Sequence, residues 1–383
     1  MSTPPESKDS TFDDALGELR EGIDSVDNQL VRLLSERAQL AKRVGELKSR
    51  HDKEAYVPER EHRLLNRLMD SNPGPLPNGA LKQIYKEIIS GCLSLESPLQ
   101  VVYLGPEGTF THQATKRHFG MSAQLMPRKG ITEIFQDVEC KRAEYGVVPI
   151  ENSTEGVVNP TLDAFMNSDL AICAEVLLPV SHHLLTQSGT SGGINKIYSH
   201  PQAIAQCREW LQRHMVDVPC IDVSSTARAA QLAAEDPSAA AIASELAGHI
   251  HGLEPAHRNI EDLRGNMTRF LVIGHQDLPP TGDDRTSLMF ALKDQPGVLY
   301  DALAPFAQHG INMSRIESRP SRRKAWEYLF FIDLVGHKGE DNVAEALRTL
   351  SESCQFMKVL GSYPRGLMNE DLSAPAPTGE GAA

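Results

Sequence analysis

A long segment near the N-terminus constrains the fold most strongly, because it carries a helical pattern without any proline. From Thr11 to about Arg50 the apolar residues recur at the spacing of one helix face, and they are Ile23, Val26, Leu30, Leu33, Ala41 and Val44. Arg37 and Lys48 lie within this stripe, since eleven positions at about 100° each leave them only about 20° apart around the helix. The segment therefore predicts one long helix with two cations on its apolar face.

A cation on a buried helix face needs an anionic partner, because an unpaired buried charge is very costly. For a single cation, an internal salt bridge or a snorkelling side chain would be a sufficient explanation. Two cations in register favour a bound carboxylate, so Arg37 and Lys48 are predicted to form an anion site. Arg20 lies about 100° around the helix from this stripe. It would reach such a site only in a second copy of the chain, or else it is a solvated arginine.

The composition excludes several classes of function. The chain has 383 residues, which suggests two or three domains, and its 40% apolar and 23% charged residues are typical of a soluble protein. The net charge of −13 argues against a nucleic-acid partner. The six cysteines have no close pairs, no segment has the apolar length of a membrane span, and no signal peptide is evident. These features predict a soluble cytoplasmic protein with reduced thiols.

The pattern of predicted helices and strands changes twice along the chain, which predicts three domains. Residues 11–96 read as helices throughout, with a second helix beginning at Pro58. Residues 99–275 alternate strands with helices such as Pro201 to His214 and Thr226 to Ala234, which is typical of an α/β domain. The strands predicted there are Val101 to Leu104, Tyr145 to Pro149, Ala171 to Leu178, Lys196 to Ser199 and Phe270 to Ile273. Residues 285–364 follow the order βαββαβ of a small α+β sandwich.

The predicted boundaries lie in polar or proline-rich segments. Ser97-Pro98 separates the first two domains, and residues 276–284, with Pro279-Pro280, form a linker before the third. Residues 1–10 and 365–383 are predicted to be disordered, since they are polar or low in complexity. One long helix and two short ones enclose little core, so the helical segment is also expected to self-associate.

Three further charged residues of the helical segment can complete an anion site. Arg60 and Glu61 lie at the start of the second helix, and Glu96 lies at the end of the third. Glu96 follows Ile89 by seven positions and Tyr85 by eleven, so it points to the apolar face. A carboxyl group in apolar surroundings tends to have a raised pKa and can then donate a hydrogen bond. The alternative is an exposed, frayed helix end.

The helical segment resembles the all-helical chorismate mutase family over residues 11–96. The resemblance is carried by four runs, which are Leu19 to Asp27, Glu36-Arg37, Gly45 to Lys48 and Pro58 to Glu61. It implies an intertwined dimer in which the carboxylates and ether oxygen of chorismate are held by Arg37, Lys48, Arg60 and Arg20 of the partner subunit. Glu61 would bind the hydroxyl. This rearrangement needs no nucleophile, proton transfer or metal, so catalysis would come from holding the folded conformer and stabilising charge on the ether oxygen.

The chain departs from this family at three positions. Where the family often has a glutamine facing the ether oxygen, this chain has Glu96, which donates a hydrogen bond only when it is protonated. The family's additional polar positions, often Asp and Ser, fall on Val57 and Cys92. The resemblance therefore predicts mutase activity that declines as the pH rises, and it predicts little polar role for Val57 or Cys92.

The α/β segment carries five polar motifs in order, and they are Gly105 to His112, Val148 to Ser153, Ser199 to Gln202, Ser224 to Thr226 and Gly265 to Phe270. The first motif follows a strand and opens a helix, which is a geometry that binds anions. It lacks the glycine spacing and the lysine of a Walker loop. Taken singly, serines and threonines before helices would be ordinary caps.

Together these motifs resemble prephenate dehydratase over residues 99–275, and Asn266 to Phe270 is the most specific run. The resemblance implies two α/β lobes around a cleft, similar to type II periplasmic binding proteins. The reaction expels carbon dioxide and a ring hydroxyl. Thr268 would supply or orient the proton for that hydroxyl, and Arg269 would anchor a substrate carboxylate. The polar lining of the cleft would be completed by Thr109, Asn152, Ser199 and Gln206.

No metal or cofactor is expected. The histidines that might suggest a metal are His182, His183, His249, His251 and His257, and their spacing fits no standard ligand set. The chemistry implied by the resemblances needs no metal.

The C-terminal segment resembles the ACT regulatory domain. The resemblance is carried by Pro296 to Leu299, at the start of its first helix, and by Glu317 to Pro320, at the end of its second strand. It implies that two such domains pair and bind L-phenylalanine at their interface. The residues implied are Gly297, Val298, Leu299, Glu317, Ser318 and Arg319. The alternative is a dimerisation module without a ligand.

The whole chain is thus predicted to be a bifunctional enzyme that carries chorismate through prephenate to phenylpyruvate and is inhibited by L-phenylalanine. Two other functions remain open at this stage. One is a dehydratase that prefers arogenate, and the other is a ligand-sensing protein without catalysis. The sequence also leaves open whether the oligomer is a dimer or larger and whether prephenate passes directly between the sites.

Overall fold

The computed structural model describes residues 9–51, 56–293, 295–320 and 328–366. These residues form a helical domain, an α/β domain of two lobes and a C-terminal domain, in the predicted order. The segments predicted to be disordered lie largely outside the described residues. At their inner ends the structure differs from the prediction, since α1 begins at Asp9 and the backbone N–H groups of Arg365 and Gly366 bond to Asp283 and Glu175.

The helical domain contains α1 (Asp9–Ser49), α2 (Pro58–Asp70) and α3 (Asn78–Glu96). Pro58 lies in the first turn of α2, where the backbone N–H that proline lacks would have no helical partner. Helix α1 packs on α3, and Gly45 permits their close approach, because a Cβ at this position would lie 2.7 Å from the Cβ of Glu96.

The N-terminal half of α1 leaves its apolar stripe exposed. We call the residues Ile23, Val26, Leu30 and Leu33 the exposed stripe. Leu30 is 50% exposed and Leu33 is 57% exposed. Contiguous apolar exposure of this kind marks an interaction surface. The exposed stripe is therefore available for the self-association predicted from the sequence.

The α/β domain follows, and its elements in chain order are β1 (Gln100–Leu104), α4 (Phe110–Phe119), β2 (Gln124–Arg128), α5 (Ile131–Glu139), β3 (Tyr145–Asn152), β4 (Gly156–Val157), α6 (Asn159–Phe165), β5 (Ala171–Pro179), β6 (His183–Thr186), β7 (Lys196–Ser199), α7 (Pro201–Gln206), α8 (Arg208–His214), β8 (Cys220–Asp222), α9 (Thr226–Ala234), β9 (Ala239–Ala243), α10 (Glu245–His251), β10 (Glu254–His257) and β11 (Met267–Gly274). The first lobe has the strand order β2-β1-β3-β11-β5, with β4 beside β3. The second lobe has the order β10-β6-β9-β7-β8. The chain crosses between the lobes after β5 and again before β11.

Strand β11 returns to the first lobe and lies antiparallel between β3 and β5. Its first residues are therefore paired with the ends of both neighbours: Thr268 lies opposite Asn152 on one side and Leu178 on the other. The polar motif that resembles prephenate dehydratase most specifically is thus placed at the edge of the first lobe that faces the second.

The C-terminal domain contains β12 (Asp284–Ala291), α11 (Val298–Gln308), β13 (Met313–Pro320), β14 (Tyr328–Val335), α12 (Asp341–Ser353) and β15 (Phe356–Pro364). Its antiparallel sheet has the order β13-β14-β12-β15. The predicted βαββαβ order is confirmed.

The first lobe and the C-terminal domain share one hydrophobic core. Met289, Phe331 and Tyr363 of the C-terminal sheet are buried in the same cluster as the first lobe's strands. Gly361 of β15 permits close packing on β5, because a Cβ there would collide with the carbonyl oxygen of Ile172. The helical domain joins the same cluster through Tyr56, which is buried.

Individual elements agree with the sequence except where local signals are weak. The strand Lys196–Ser199 and the helix Thr226–Ala234 are found as predicted, whereas the predicted helix Pro201 to His214 is broken at Cys207. Strand β9 has the sequence Ala-Ala-Ala-Ile-Ala and was not predicted, since alanine has no strand preference. Within the described residues, every helix is too short or too polar to cross a bilayer.

Candidate functional site

The helical domain encloses a cavity of about 310 Å³ between α1, α2 and α3, which we call the helical-domain pocket. Five residues predicted for the anion site line it together, namely Arg37, Lys48, Arg60, Glu61 and Glu96. Most of its other walls are apolar, and they include Leu40, Ala41, Val44, Leu64, Ile89 and Leu93. The pocket thus presents three cations and two carboxyl groups in apolar surroundings, which suits a small polyanion that also carries a hydroxyl.

Glu96 faces the pocket and is not a frayed helix end. Its Oε2 atom is buried without a hydrogen-bond partner. Burial raises the pKa of Glu96, and the nearby Lys48, Arg60 and Arg37 oppose this effect without cancelling it. Burial also lowers the pKa of Lys48, while Glu96 opposes that shift. The carboxyl group is therefore held partly toward its protonated form, in which it can donate a hydrogen bond.

Two positions that depart from the mutase pattern also line the pocket. Val57 contributes an apolar wall, and the Sγ atom of Cys92 lies 2.8 Å from the Nη1 atom of Arg37, which donates to it. The thiol of Cys92 therefore orients Arg37, a contact that the sequence comparison did not predict.

Arg20 does not line the helical-domain pocket of its own chain. It is exposed on the N-terminal half of α1, where the apolar stripe is exposed as well. The two sequence-based alternatives, a solvated arginine or a contribution to a pocket in a second chain, therefore both remain compatible with the single chain.

The wall of the pocket continues into the first lobe through Tyr56. The hydroxyl of Tyr56 hydrogen-bonds the Glu61 carboxylate and lies 3.4 Å from the Nε2 atom of His118. Burial raises the pKa of Glu61, whereas Lys86, the bond from Tyr56 and Lys82 lower it. Sequence reasoning missed Tyr56, because nothing in its neighbourhood distinguishes it from an ordinary core tyrosine.

In the α/β domain, Thr268 and Asn152 meet in a hydrogen-bonded group that we call the polar network. The Nδ2 atom of Asn152 donates to the Oγ1 atom of Thr268 and to the Oδ1 atom of Asn266, both at 2.8 Å. Because Thr268 accepts this bond, its own hydroxyl hydrogen is left available for a substrate oxygen. The structure thus brings together two of the predicted site residues and adds Asn266.

Gln206 joins the polar network from the second lobe. Its Oε1 atom accepts from the Nδ2 atom of Asn266 at 3.2 Å and lies 2.9 Å from the Nε2 atom of His182. Its Nε2 atom donates to the Oε1 atom of Glu155 at 3.0 Å. Gln206 therefore bridges the two lobes. Glu155 is a site residue that the sequence did not single out, and His182 was considered there only as a possible metal ligand.

Burial lowers the pKa of His182 and keeps its ring neutral. Since Gln206 offers an acceptor, the hydrogen-bond geometry assigns the ring proton to Nε2. The Nδ1 atom is then an acceptor, and it is buried without a partner. A bonded histidine in this position orients Gln206. Among the described residues, no group of three or more potential ligands could hold a metal.

Two residues predicted to line the cleft are engaged in local structure instead. Thr109 is the N-cap of α4: its Oγ1 atom accepts from the backbone N–H of His112 and lies within bonding distance of the Leu104 carbonyl. Ser199 is fully buried, and its hydroxyl donates to the carbonyl oxygen of Ile242 at 2.7 Å. For Ser199 the predicted place on the cleft surface is wrong, because the end of β7 lies beneath the surface.

Arg269 does not face the polar network, which corrects the prediction that it anchors a substrate carboxylate. Successive side chains of a strand point to opposite faces of the sheet, so Arg269 is directed away from Thr268. Its guanidinium is buried against the C-terminal domain, where it bonds Glu175 at 2.6 Å, Asp333 at 2.5 Å and the hydroxyl of Tyr363 at 2.8 Å.

The residues predicted to bind a regulatory amino acid lie in two places. Gly297 is the N-cap of α11 with φ +82°, and Val298 and Leu299 pack on the core of the C-terminal domain. Glu317 and Ser318 lie on β13, at the edge of the sheet.

Arg319, the last residue predicted for the regulatory site, is buried against the first lobe. It donates to Asn159 and pairs with Asp163 at 2.9 Å. The predicted ligand contact of Arg319 is therefore replaced by a contact between domains.

Comparisons with known proteins agree with this architecture. Family models for chorismate mutase type II, prephenate dehydratase and the ACT domain match residues 19–97, 101–278 and 286–352. A bifunctional chorismate mutase/prephenate dehydratase from Aquifex aeolicus is 52% identical over 359 residues, which are 93% of this chain and 99% of the relative. The chain belongs to the bifunctional chorismate mutase/prephenate dehydratase family.

Another member of this family and a solved dehydratase structure support this assignment. The bifunctional chorismate mutase/prephenate dehydratase of Pseudomonas aeruginosa is 45% identical over 361 residues, covering 93% of this chain and 99% of the relative. The structure of prephenate dehydratase from Arthrobacter aurescens in complex with L-phenylalanine is 34% identical, with a TM-score of 0.66, and covers 73% of this chain and 94% of that one. The protein is thus a bifunctional enzyme of aromatic amino-acid biosynthesis, as predicted, with mutase, dehydratase and ACT domains in that order.

Proposed function

We propose that the helical-domain pocket converts chorismate to prephenate and that the polar network converts prephenate to phenylpyruvate, under inhibition by L-phenylalanine. The observation that carries this proposal is the convergence of Arg37, Lys48 and Arg60 with Glu61 and Glu96 in one apolar cavity. Three cations concentrated there, in a chain of net charge −13, match the two carboxylates of chorismate.

The mutase step breaks the ether C–O bond and forms a C–C bond within one molecule, so no group of the protein is consumed. Arg37, Lys48 and Arg60 hold the carboxylates and the ether oxygen, and Glu61 accepts the hydrogen bond of the substrate hydroxyl. Protonated Glu96 donates to the ether oxygen as negative charge develops on it. Fixed donors in an apolar site stabilise such charge more strongly than water does.

The mutase site is completed by a second chain. Arg20 lies outside the pocket of its own chain, and the exposed stripe lies on the same half of α1. Burial of the exposed stripe against a second copy would bring Arg20 of the partner subunit to the pocket. The functional unit is therefore a homodimer or a larger homo-oligomer, and its six unbridged cysteines suit the cytoplasm.

The dehydratase step is carried by Thr268, held by Asn152. The C–O bond of the ring hydroxyl breaks as that oxygen receives a proton that comes from solvent, so water leaves. The C–C bond to the ring carboxylate breaks at the same stage, so carbon dioxide leaves and the electron pair completes the aromatic ring. Thr268 donates a hydrogen bond to the departing hydroxyl and orients its proton, and Gln206 closes the site from the second lobe.

The C-terminal domain binds L-phenylalanine at an interface between two chains. Support comes from the similarity to the Arthrobacter aurescens enzyme in complex with L-Phe and from Gly297, where a Cβ would meet no atom within 4 Å. The backbone there leaves room for a ligand near Val298 and Leu299, with Glu317 and Ser318 on the edge strand β13. Inhibition requires that L-phenylalanine bind the less active state more tightly.

The test is to supply chorismate, prephenate or arogenate to the full chain and to follow phenylpyruvate and phenylalanine. We expect phenylpyruvate from chorismate and from prephenate, and less of it when L-phenylalanine is added. Preferential formation of phenylalanine from arogenate would show that arogenate, and not prephenate, is the substrate of the dehydratase site. Absence of any product would favour a ligand-sensing protein and contradict the proposal.

A further inference from the structure

Strand β11 connects the polar network directly to the C-terminal domain. Thr268 points to the polar network, and the next residue, Arg269, points to the opposite face of the sheet. The pairing of β11 with β3 is irregular immediately after Arg269. Such irregularities redirect the side chains beside them. The direction of the Thr268 hydroxyl therefore depends on what holds β11 at Arg269.

Arg269 is held by a group of buried side chains from both domains, which we call the interdomain ion cluster. Its members are Arg269 and Glu175 of the first lobe and Arg285, Ser287, Asp333 and Tyr363 of the C-terminal domain. Arg269 lies opposite Leu177 and Glu175 lies opposite Leu271, so the two charged residues are diagonal neighbours on one face. Three neighbouring strands of the C-terminal sheet, β12, β14 and β15, supply the other members.

Each nitrogen of the Arg269 guanidinium is used by the protein. Nε donates to Glu175 at 2.6 Å, Nη1 to Asp333 at 2.5 Å and Nη2 to the hydroxyl of Tyr363 at 2.8 Å. Asp333 also accepts from Ser287 at 2.5 Å, and Glu175 also accepts from Arg285 at 2.5 Å. A guanidinium whose three nitrogens are all engaged in buried contacts with the protein is a structural clamp.

The charges of the interdomain ion cluster depend on one another. Arg269 is only 8% exposed and Asp333 only 3%. Burial raises the pKa of Asp333, but Arg269 and Arg315 outweigh this effect and hold the pKa below its usual value. Removal of one partner would leave the other buried and uncompensated. The packing of the C-terminal domain on β11 is therefore coupled to the ionic contact at Arg269.

We propose that Arg269 is a positioning residue of the dehydratase, which uses its contact with Asp333 of the C-terminal domain to fix strand β11 and thereby aim the Thr268 hydroxyl. The inference rests on the proposed role of Thr268 in the dehydratase. It assigns to the C-terminal domain a direct part in assembling the polar network of the same chain. It also explains why an arginine follows Thr268 although its side chain lies outside the cleft.

The experiment compares the dehydratase kinetics of Asp333→Asn, Arg269→Gln and the double variant in the full chain. Each single variant is expected to lower kcat about tenfold with KM within about twofold, because a small misplacement of a reacting group costs rate more than binding. The double variant is expected to lose no more than the worse single variant, because the two residues act as one unit. Mutase turnover is expected to be unchanged in all three, which controls for folding.

Matched variants separate positioning from general stability. Lys338→Gln removes an exposed ion pair with Asp277, which lies in the predicted linker, and it is expected to leave dehydratase kinetics unchanged. Arg269→Lys, which keeps the charge but loses the three-way contact, is expected to fall between Arg269→Gln and the unmodified enzyme. If Asp333→Asn does not fold, Tyr363→Phe removes one bond of the cluster and is expected to lower kcat about threefold at unchanged KM.

Two results would overturn the inference. One is a rise in KM of tenfold or more in Arg269→Gln with unchanged kinetics in Asp333→Asn, which would restore Arg269 as a substrate anchor. The other is an unchanged kcat in Asp333→Asn and in Tyr363→Phe. A Thr268→Ala background tests the coupling itself, since Asp333→Asn is expected to add no further loss there. Full dehydratase activity of Thr268→Ala alone would instead refute the proposed role of Thr268.

Discussion

The mutase and dehydratase sites are built in opposite ways, although they lie in one chain. The helical-domain pocket concentrates charged side chains in apolar surroundings, and a carboxyl oxygen of Glu96 there has no hydrogen-bond partner. The polar network of the dehydratase consists mainly of uncharged side chains, in which Asn152 bonds both Thr268 and Asn266, and Asn266 bonds Gln206. The first site is arranged to receive charge from its substrate, whereas the second holds a hydroxyl in a fixed direction.

The two sites also differ in how much of each a single chain supplies. The polar network joins two lobes of the same chain through hydrogen bonds within that chain. The helical-domain pocket lies on a helix whose exposed stripe faces solvent, and Arg20 lies outside it. The contrast predicts that variants of the two sites affect one activity at a time and that only the mutase depends on association.

The largest expected effect is on the mutase. Lys48→Ala removes a cation that stabilises the ether oxygen, and mutase kcat should fall about 10²- to 10³-fold. Dehydratase turnover of added prephenate should stay unchanged. Lys42→Ala, an exposed lysine on the same helix, is the matched control and should keep both activities. A mutase rate in Lys48→Ala within threefold of the unmodified enzyme would show that the helical-domain pocket is not the mutase site.

The next effect is the converse one, on the dehydratase. Thr268→Ala removes the hydroxyl that orients the leaving group, and dehydratase kcat should fall about 10²-fold while mutase turnover is kept. Thr268→Ser restores a hydroxyl at the same position and should recover most of the rate. Equal rates in Thr268→Ala and the unmodified enzyme would show that the network only shapes the fold.

A pH effect should separate the two sites further. The pKa of Glu96 is raised, mainly by burial, so its carboxyl keeps a proton to higher pH than an ordinary glutamate and loses it as the pH rises further. Mutase kcat should therefore fall about tenfold per pH unit above that pKa. Glu96→Gln donates at every pH and should keep its rate there, whereas the exposed control Glu46→Gln should follow the unmodified enzyme. Identical pH profiles for Glu96→Gln and the unmodified enzyme would contradict this role.

The smallest expected effect concerns Tyr56, which lies between the helical-domain pocket and the first lobe. Tyr56→Phe removes the hydroxyl that supports Glu61, so mutase kcat should fall about two- to tenfold, the range of one net hydrogen bond. Dehydratase kinetics should not change, because Tyr56 contacts Tyr145, which lies at the opposite end of β3 from Asn152. Steady-state rates with chorismate and with prephenate measure both effects, and equal losses in both activities would show that the two sites are not separable.

Local sequence patterns predicted the position of a side chain where one helix face or one strand determines it. The spacing of Arg37 and Lys48 predicted their common pocket, because a helix fixes the azimuth of every side chain. The domain order and the βαββαβ order of the C-terminal domain were predicted from the succession of helical and strand patterns along the chain. The family resemblance supplied Thr268 and Asn152, and the structure places them in hydrogen-bond contact.

The sequence did not predict the role of a side chain where tertiary contacts decide its partners. Arg269 follows Thr268 in the motif, but the alternation of a strand sends it to the opposite face, and its partners Asp333 and Tyr363 come from another domain. Ser199 and Thr109 are residue types that often line polar clefts, but their hydroxyls hydrogen-bond to backbone atoms of the protein. Tyr56 carries no local signal, since its contacts join domains that are distant in sequence.

Subunit mixing tests most directly whether the mutase site is shared between chains while the dehydratase site is not. Arg20→Ala and Arg37→Ala chains, each inactive as a mutase alone, are co-expressed with different tags, and two successive affinity steps keep only the mixed dimers. If each pocket takes Arg37 from one chain and Arg20 from the other, one of the two pockets in each mixed dimer is intact, so about half of the mutase activity should return, and dehydratase activity should be full throughout. No recovery of mutase activity in purified mixed dimers would contradict the shared site.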